Sequence, residues 1–198
     1  MTQFSLFGAA VAPPTLTDLD GVLLAGGWWV RAEDGARLSV IVTDRWRADA
    51  LVEEFHTRGV GCAGTDPSIV SAENGLAVRT GFTSDLFPYA QLWTRGANQG
   101  PPPNFVLGAG GLRLWCIAAG RRDELGYLLA TAEPDGSTHT LAGAQLARFG
   151  VPAVSLTHAR GAHGGPGWRV SSAKRMRRLV ELVGPAPTAA GVDWPQTS

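Results

Sequence analysis

The 198-residue sequence predicts an α+β fold made of two similar αββαββ halves, and three observations carry that prediction. First, two stretches share one build: residues 19–27, Leu-Asp-Gly-Val-Leu-Leu-Ala-Gly-Gly, and residues 112–120, Leu-Arg-Leu-Trp-Cys-Ile-Ala-Ala-Gly. Each opens on apolar residues, turns small near its end and closes on Gly. Second, a similar order of elements follows each stretch, and their starts lie 93 positions apart. A repeat of that length fits a pseudo-two-fold single domain and not a short-repeat solenoid. Third, the Gly/Pro-rich segment 96–103 reads as a joint between the halves. The chain then divides into a peptide and tether at 1–14, repeats at 15–95 and 104–184, and a loose Pro-rich tail at 185–198, from which Trp194 could dock back.

Each element has a local reason. Thr15 or Thr17 can cap the first motif helix, and Asp18 and Asp20 suit its N-terminal dipole. On that helix Gly21 and Ala25 lie four apart and share a face, so a second backbone can approach closely. Gly26-Gly27 should end it. Trp28 to Arg31 starts a strand, Glu33-Asp34-Gly35 turns it, and residues 37–43 return. Residues 44–56 read as an amphipathic helix with Ala48, Leu51, Val52 and Phe55 as its apolar stripe. Strands 68–72 and 76–82 turn at Asn74-Gly75, and helix 84–93 presents Leu86, Tyr89, Ala90 and Trp93 on one face. The second half offers motif helix 112–119, strand 126–131, a Pro134-Asp135-Gly136 turn and helix 140–149. A hairpin of 151–158 with 167–171 follows, then a basic amphipathic helix, 172–183, stopped by Gly184-Pro185.

Composition narrows the function classes. Lys+Arg and Asp+Glu both number 17, so any DNA contact must come from a local patch and not from a global field. Apolar content of 44% and charged content of 17% read as globular. Lys174 is the only Lys, and the Arg, Ala, Gly and Pro bias fits a GC-rich bacterial genome. Cys62 and Cys116 lie far apart without a CxxC pattern, so buried thiols are expected and not a disulfide or zinc site. His56, His139, His158 and His163 are scattered, and the Gly-rich 161–167 precedes a strand, whereas a phosphate loop leads into a helix. No cofactor is expected. No apolar run approaches the ~20 residues of a membrane helix, and the N-terminus lacks a positive n-region. A cytoplasmic, nucleoid-associated monomer is the default expectation.

Position for position, residues 19–27 resemble the LAGLIDADG motif of homing endonucleases. Residues 112–120 resemble that family's variant form, Trp-aromatic-apolar-Asp-Asp-Gly, with Trp115 and Gly120 in place. The resemblance covers roughly residues 14–183. It implies two motif helices crossing at the centre and an antiparallel four-stranded sheet from each half, forming a saddle over the DNA major groove. It also implies a carboxylate at the end of each motif helix, holding divalent cations against the scissile phosphates. Those positions are Gly26 and Ala119 here, so the expectation is no enzyme, with no catalytic or metal-binding residue. Asp18, Asp20, Asp123 and Glu124 lie nearby in sequence and read as solvated cap and turn residues.

If the sheets form a saddle, Arg37, Arg79 and Arg169 in strands and Arg31 at a strand end could reach phosphates or guanine edges of double-stranded DNA. Lys174, Arg175, Arg177 and Arg178 of the last helix, with Arg45 and Arg47 at a helix start, add candidate contacts. Trp28, Trp93, Trp115 and Trp168 are expected in the core.

Gln3-Phe4-Ser5-Leu6-Phe7, followed by a small Pro-containing tether, resembles the bacterial sliding-clamp binding pentapeptide, Gln-apolar-Ser/Asp-Leu-Phe. The resemblance implies that Gln3 bonds at a pocket rim while Leu6 and Phe7 fill an apolar cleft. The plainer alternative is that this apolar cluster packs on its own domain. Together these readings describe a non-catalytic DNA-associated accessory protein recruited to replication or repair through the sliding clamp. The alternatives are a transcriptional regulator with a cleavage-dead LAGLIDADG-like domain, and a metal-dependent nuclease with relocated acids.

Overall fold

A computed structural model describes residues 13–60, 67–96, 98–132, 136–157 and 166–197. The peptide from Gln3 to Phe7, Cys62, the Pro134-Asp135 turn, His158 and His163 lie outside the described residues. The Thr15 N–H donates to Asp18 Oδ2 at 3.0 Å and starts a 3-10 turn, Leu16–Leu19, that runs into α1 (Asp20–Leu24). Gly26 ends the helix with φ +98°, a left-handed conformation that Gly adopts without a Cβ clash. The chain continues through β1 (Trp28–Arg31), β2 (Ala36–Val42), α2 (Arg45–Thr57), β3 (Ser68–Ala72), β4 (Gly75–Arg79) and α3 (Phe87–Trp93). A short hairpin, β5 (Thr94–Arg95) with β6 (Asn98–Gln99), leads to the second half. That half comprises α4 (Ala109–Ala119), β7 (Gly120–Asp123), β8 (Gly126–Ala130), α5 (Ser137–Arg148), β9 (Val154–Leu156), β10 (Gly167–Val170) and α6 (Ala173–Val183).

The fold class is the expected one. Two four-stranded antiparallel sheets run in equivalent orders, β1-β2-β4-β3 and β7-β8-β10-β9. Helices α2 and α3 pack on one face of the first sheet. There Leu38, Val40, Val42 and Val78 are buried with Leu51, Phe55, Leu86 and Ala90. Each large aliphatic side chain so covered contributes roughly 1.5–3 kcal/mol of transfer free energy.

At the centre α1 crosses α4. A Cβ at Gly21 would overlap the carbonyl oxygen of Gly111 and lie 2.6 Å from its carbonyl carbon, so the two backbones touch directly. Leu19, Val22, Leu24, Leu112, Trp115 and Ile117 surround this contact, each at most 1% exposed. Arg58, 9% exposed, donates to Asp18 Oδ2 at 3.2 and 3.0 Å and to Glu54 Oε2 at 2.6 Å. Glu54 also accepts from Arg113 of α4 at 2.6 Å, which ties α2, α4 and the first motif helix together.

Four differences from the sequence expectation have physical causes. Gly-Arg-Arg-Asp of β7 carries no apolar alternation and reads in sequence as the approach to a turn; its pairing with β8, Gly120↔Leu129 and Arg122↔Tyr127, makes it a strand. The joint is pinned to the first half: Gln99 Oε1 accepts from the Trp29 N–H at 2.8 Å, and Gln99 Nε2 donates to Gly27 O at 3.0 Å. The tail is held down and not loose. Trp194 is 3% exposed, donates to Gly184 O at 3.1 Å and lies beneath the Arg113 guanidinium, 5.2 Å from its ring centre. Lastly, Asp18 and Asp20 are not solvated caps: Asp18 is buried, and Asp20 accepts from the Trp93 indole N–H at 2.7 Å.

The central contact gives a direct stability prediction. Gly21→Ala should cost about 3 kcal/mol or more, because one backbone must move for the methyl group. In a chain of this size the thermal midpoint should fall by roughly 6–12 °C. Gly100→Ala, where nothing lies within 4 Å of the added atom, should leave the midpoint unchanged in the same calorimetric scan.

Candidate nucleic-acid interface

Residues directly opposite in an antiparallel ladder share a face, so the strand register sorts the side chains. On the first sheet Trp28, Ser39, Arg79 and Ser68 form one cross-strand row. Val30 and Arg37 form a second row, and Ile41, Ala77 and Val70 a third. All three rows lie on the face turned away from α2 and α3, the open face. Trp28, Ile41 and Val70 are exposed there, so Trp28 is not the core residue the sequence suggests. Arg37 and Arg79 are half-buried and make no ion pair among the described residues, where Arg37 Nε is also buried without a hydrogen-bond partner. Arg31 pairs with Ala36 and falls on the helix-covered face, at the exposed end of β1.

On the second sheet Arg169, Leu128, Arg121 and Val154 form the corresponding open row. Here the charge is neutralised internally: Arg169 Nε and Nη2 reach Asp123 Oδ2 at 2.8 and 2.6 Å, so Asp123 is an ion-pair partner and not a solvated turn residue. The covered face carries Trp168, which stacks on His139 of α5 with ring centres 4.9 Å apart and donates to His139 O. Helix α6 packs on α4, and Met176 lines a cleft of about 320 Å³ with Tyr127 and Val170 of the covered face. Lys174, Arg175, Arg177 and Arg178 therefore sit on the helical side and do not share a face with Arg37, Arg79 or Arg169. Arg178 also donates to Phe149 O and meets Glu181 at 3.3 Å. Arg45 pairs with Asp49 on the surface.

The ends of the motif helices carry different chemistry. A side chain at Gly26 would lie 3.2 Å from Ala132 Cβ, and Ala119 has no donor atom. The last carbonyls of α4 are already satisfied by a cation. Arg47, 5% exposed, donates to Ile117 O at 2.8 Å and Gly120 O at 2.7 Å, while its Nε meets Asp44 at 2.9 Å. Sequence reasoning places Arg47 at a helix start and has no signal for this reach across the halves. Among the described residues no three His, Cys, Asp or Glu side chains converge. The residues at the motif ends do not fit a divalent ion: they supply no carboxylate, and a guanidinium holds the helix end. Cys116 is buried, and that burial pushes its thiol up to about 12.

No protein-family model matches the sequence, and no curated protein matches it. Solved structures do. The homing endonuclease I-WcaI, bound to its DNA recognition sequence, aligns with a TM-score of 0.55 at 10% identity, over 84% of this chain and 80% of that one. An I-DmoI variant, in complex with its target DNA nicked in the coding strand and with manganese present, aligns at 0.53 with 10% identity, over 87% and 98%. The fold is that of the LAGLIDADG homing endonucleases. This corrects one inference from the sequence. The missing acids at Gly26 and Ala119 imply no enzyme, yet the proteins sharing this fold are endonucleases, and that expectation does not stand. No described helix is long and apolar enough to cross a membrane.

Asp20 sets a pH dependence. Burial pushes its carboxyl up to about 7, with Asp18 adding to the rise and the Trp93 hydrogen bond opposing it. Between about pH 4 and 7 the folded state keeps a proton that the unfolded state has lost, so stability falls as pH rises through that window. Asp20→Asn, which keeps an acceptor for Trp93, should raise the thermal midpoint at pH 8 and change it little at pH 5.

Proposed function

We propose that the protein binds double-stranded DNA along the open faces of its two sheets, and that the Gln3–Phe7 peptide recruits it to replication or repair through the sliding clamp. The observation that supports the first part is a homing-endonuclease fold whose open face presents Arg37 and Arg79 with no described carboxylate engaging either. Both solved neighbours are described as DNA complexes, I-WcaI on its recognition sequence and I-DmoI on its target. Guanidiniums on a pleated surface suit phosphate oxygens and the O6/N7 edge of guanine. The recruitment part rests on the peptide sequence, in which every defining position of the clamp motif matches.

A second reading has one observation in its favour. Asp123 lies on the open face at the far end of β7, held by Arg169, so an acid is present on that face although not at a motif end. Supercoiled plasmid incubated with magnesium or manganese decides the matter. Nicking that disappears in Asp123→Asn identifies a nuclease with a relocated acid, and nicking that persists in that variant removes Asp123 from the reading.

Duplex binding should be steeply salt-dependent, and Arg37→Ala/Arg79→Ala should weaken it about ten-fold at low salt while lowering the log–log salt slope by about 2. Arg175→Ala/Arg177→Ala, on the helical side, should change it by less than about two-fold. No duplex binding at low salt would remove the proposal. In a pull-down on purified sliding clamp, Leu6→Ala/Phe7→Ala should abolish retention and leave DNA affinity intact. Retention by the variant would remove the recruitment claim.

A further inference from the structure

The two open faces are alike in topology and unlike in chemistry. In the second half Arg169 is neutralised by Asp123. In the first half three large apolar side chains are left in water, Trp28 at 38%, Ile41 at 42% and Val70 at 41% exposure, beside Arg37 and Arg79. Trp28 and Arg79 stand in one cross-strand row with only Ser39 between them, about 10 Å apart at the strand spacing. Ser39 is 1% exposed, so the neighbouring side chains close over it, and Arg37 lies two residues away along β2 on the same face. A part-exposed indole on the same face as two arginines that make no described ion pair complements a polyanion that also offers flat apolar surfaces. Duplex DNA shows a protein the edges of its bases, whereas an unpaired strand offers their π-faces.

We propose that the open face of the first sheet is a platform for single-stranded DNA. Trp28 stacks on an unpaired base, Ile41 and Val70 cover the apolar flank, and Arg37 and Arg79 neutralise the neighbouring phosphates. This substrate class differs from the duplex of the preceding proposal, and it stands on the exposed apolar residues, which that proposal does not use. The face would then serve DNA that is partly unwound, with the strand lying across β1, β2 and β4.

The test uses the full chain and fluorescence anisotropy with fluorescein-labelled oligo(dT) and, separately, a labelled blunt duplex. Oligo(dT) should bind, Trp28→Ala should weaken it roughly ten-fold, and Trp28→Phe should retain most of the affinity. Trp28→Ala should weaken oligo(dT) by a clearly larger factor than duplex, because only the unpaired base stacks on the indole. Because Trp28 is 38% exposed and the rest of its ring is packed, Trp28→Ala should lower the thermal midpoint, so affinities are compared at a temperature where circular dichroism shows every variant folded, with Trp28→Phe as the packing control. The proposal is overturned if oligo(dT) does not bind, if Trp28→Ala leaves its affinity unchanged, or if oligo(dT) and duplex weaken equally. Sedimentation velocity supplies a further arm: self-association lost in Trp28→Ala would assign the face to a second copy of the chain, again overturning the proposal. Failure of duplex binding alone removes the earlier reading and leaves the oligo(dT) arm standing.

Discussion

The backbone contact between Gly21 and Gly111 is the constraint on which the rest of the structure depends. Both helices are short, α1 with five residues and α4 with eleven, and neither would be stable in water alone. Removing the side chains at the crossing lets Leu19, Val22 and Leu24 interlock with Leu112, Trp115 and Ile117 around a peptide–peptide contact. Each helix then delivers the first strand of its own sheet, β1 two residues beyond Gly26 and β7 directly from Ala119. The position of both open faces follows from that delivery.

Buried arginines secure the crossing at both ends. Arg58 and Arg113 share Glu54 beside the helix starts, and Arg47 closes the last turn of α4. A buried guanidinium is costly unless its donors are met, and removing one partner leaves an uncompensated charge. Arg47 satisfies this with backbone carbonyls and with Asp44, and Arg58 with Asp18 and Glu54. Arg47 and Arg113 are thus consumed in holding the two halves together.

What could be read from the sequence follows from how local the cause is. Asn74-Gly75 and Glu33-Asp34-Gly35 specify their hairpins through turn chemistry alone, and the stripe of Ala48, Leu51 and Phe55 marks α2 within one element. The close-packing role of Gly21 was legible too, because a helix face without side chains has few other uses. Its partner was not. Aligning the repeats on their closing glycines sets Gly21 against Leu114, whereas the crossing falls three residues earlier, at Gly111, the position that leaves room. Arg47, Gln99, Trp194 and the burial of Asp20 depend on residues tens of positions away, so no window of sequence reveals them. Trp28 misled for a related reason. Consecutive tryptophans in a strand point to opposite faces, and only Trp29 met the helices.

The crossing has a consequence for the relation between the halves. Aligned on the repeat, Gly21 of α1 has Leu114 as its counterpart, yet it meets Gly111, three residues earlier on α4. Arg47 reaches from the first half to the end of α4, and Gln99 of the joint holds Gly27 and Trp29. The contacts that join the halves are each made once and from one side, and the two open faces differ in the same way: Trp28, Arg37 and Arg79 stand on one, and Arg169 paired with Asp123 on the other.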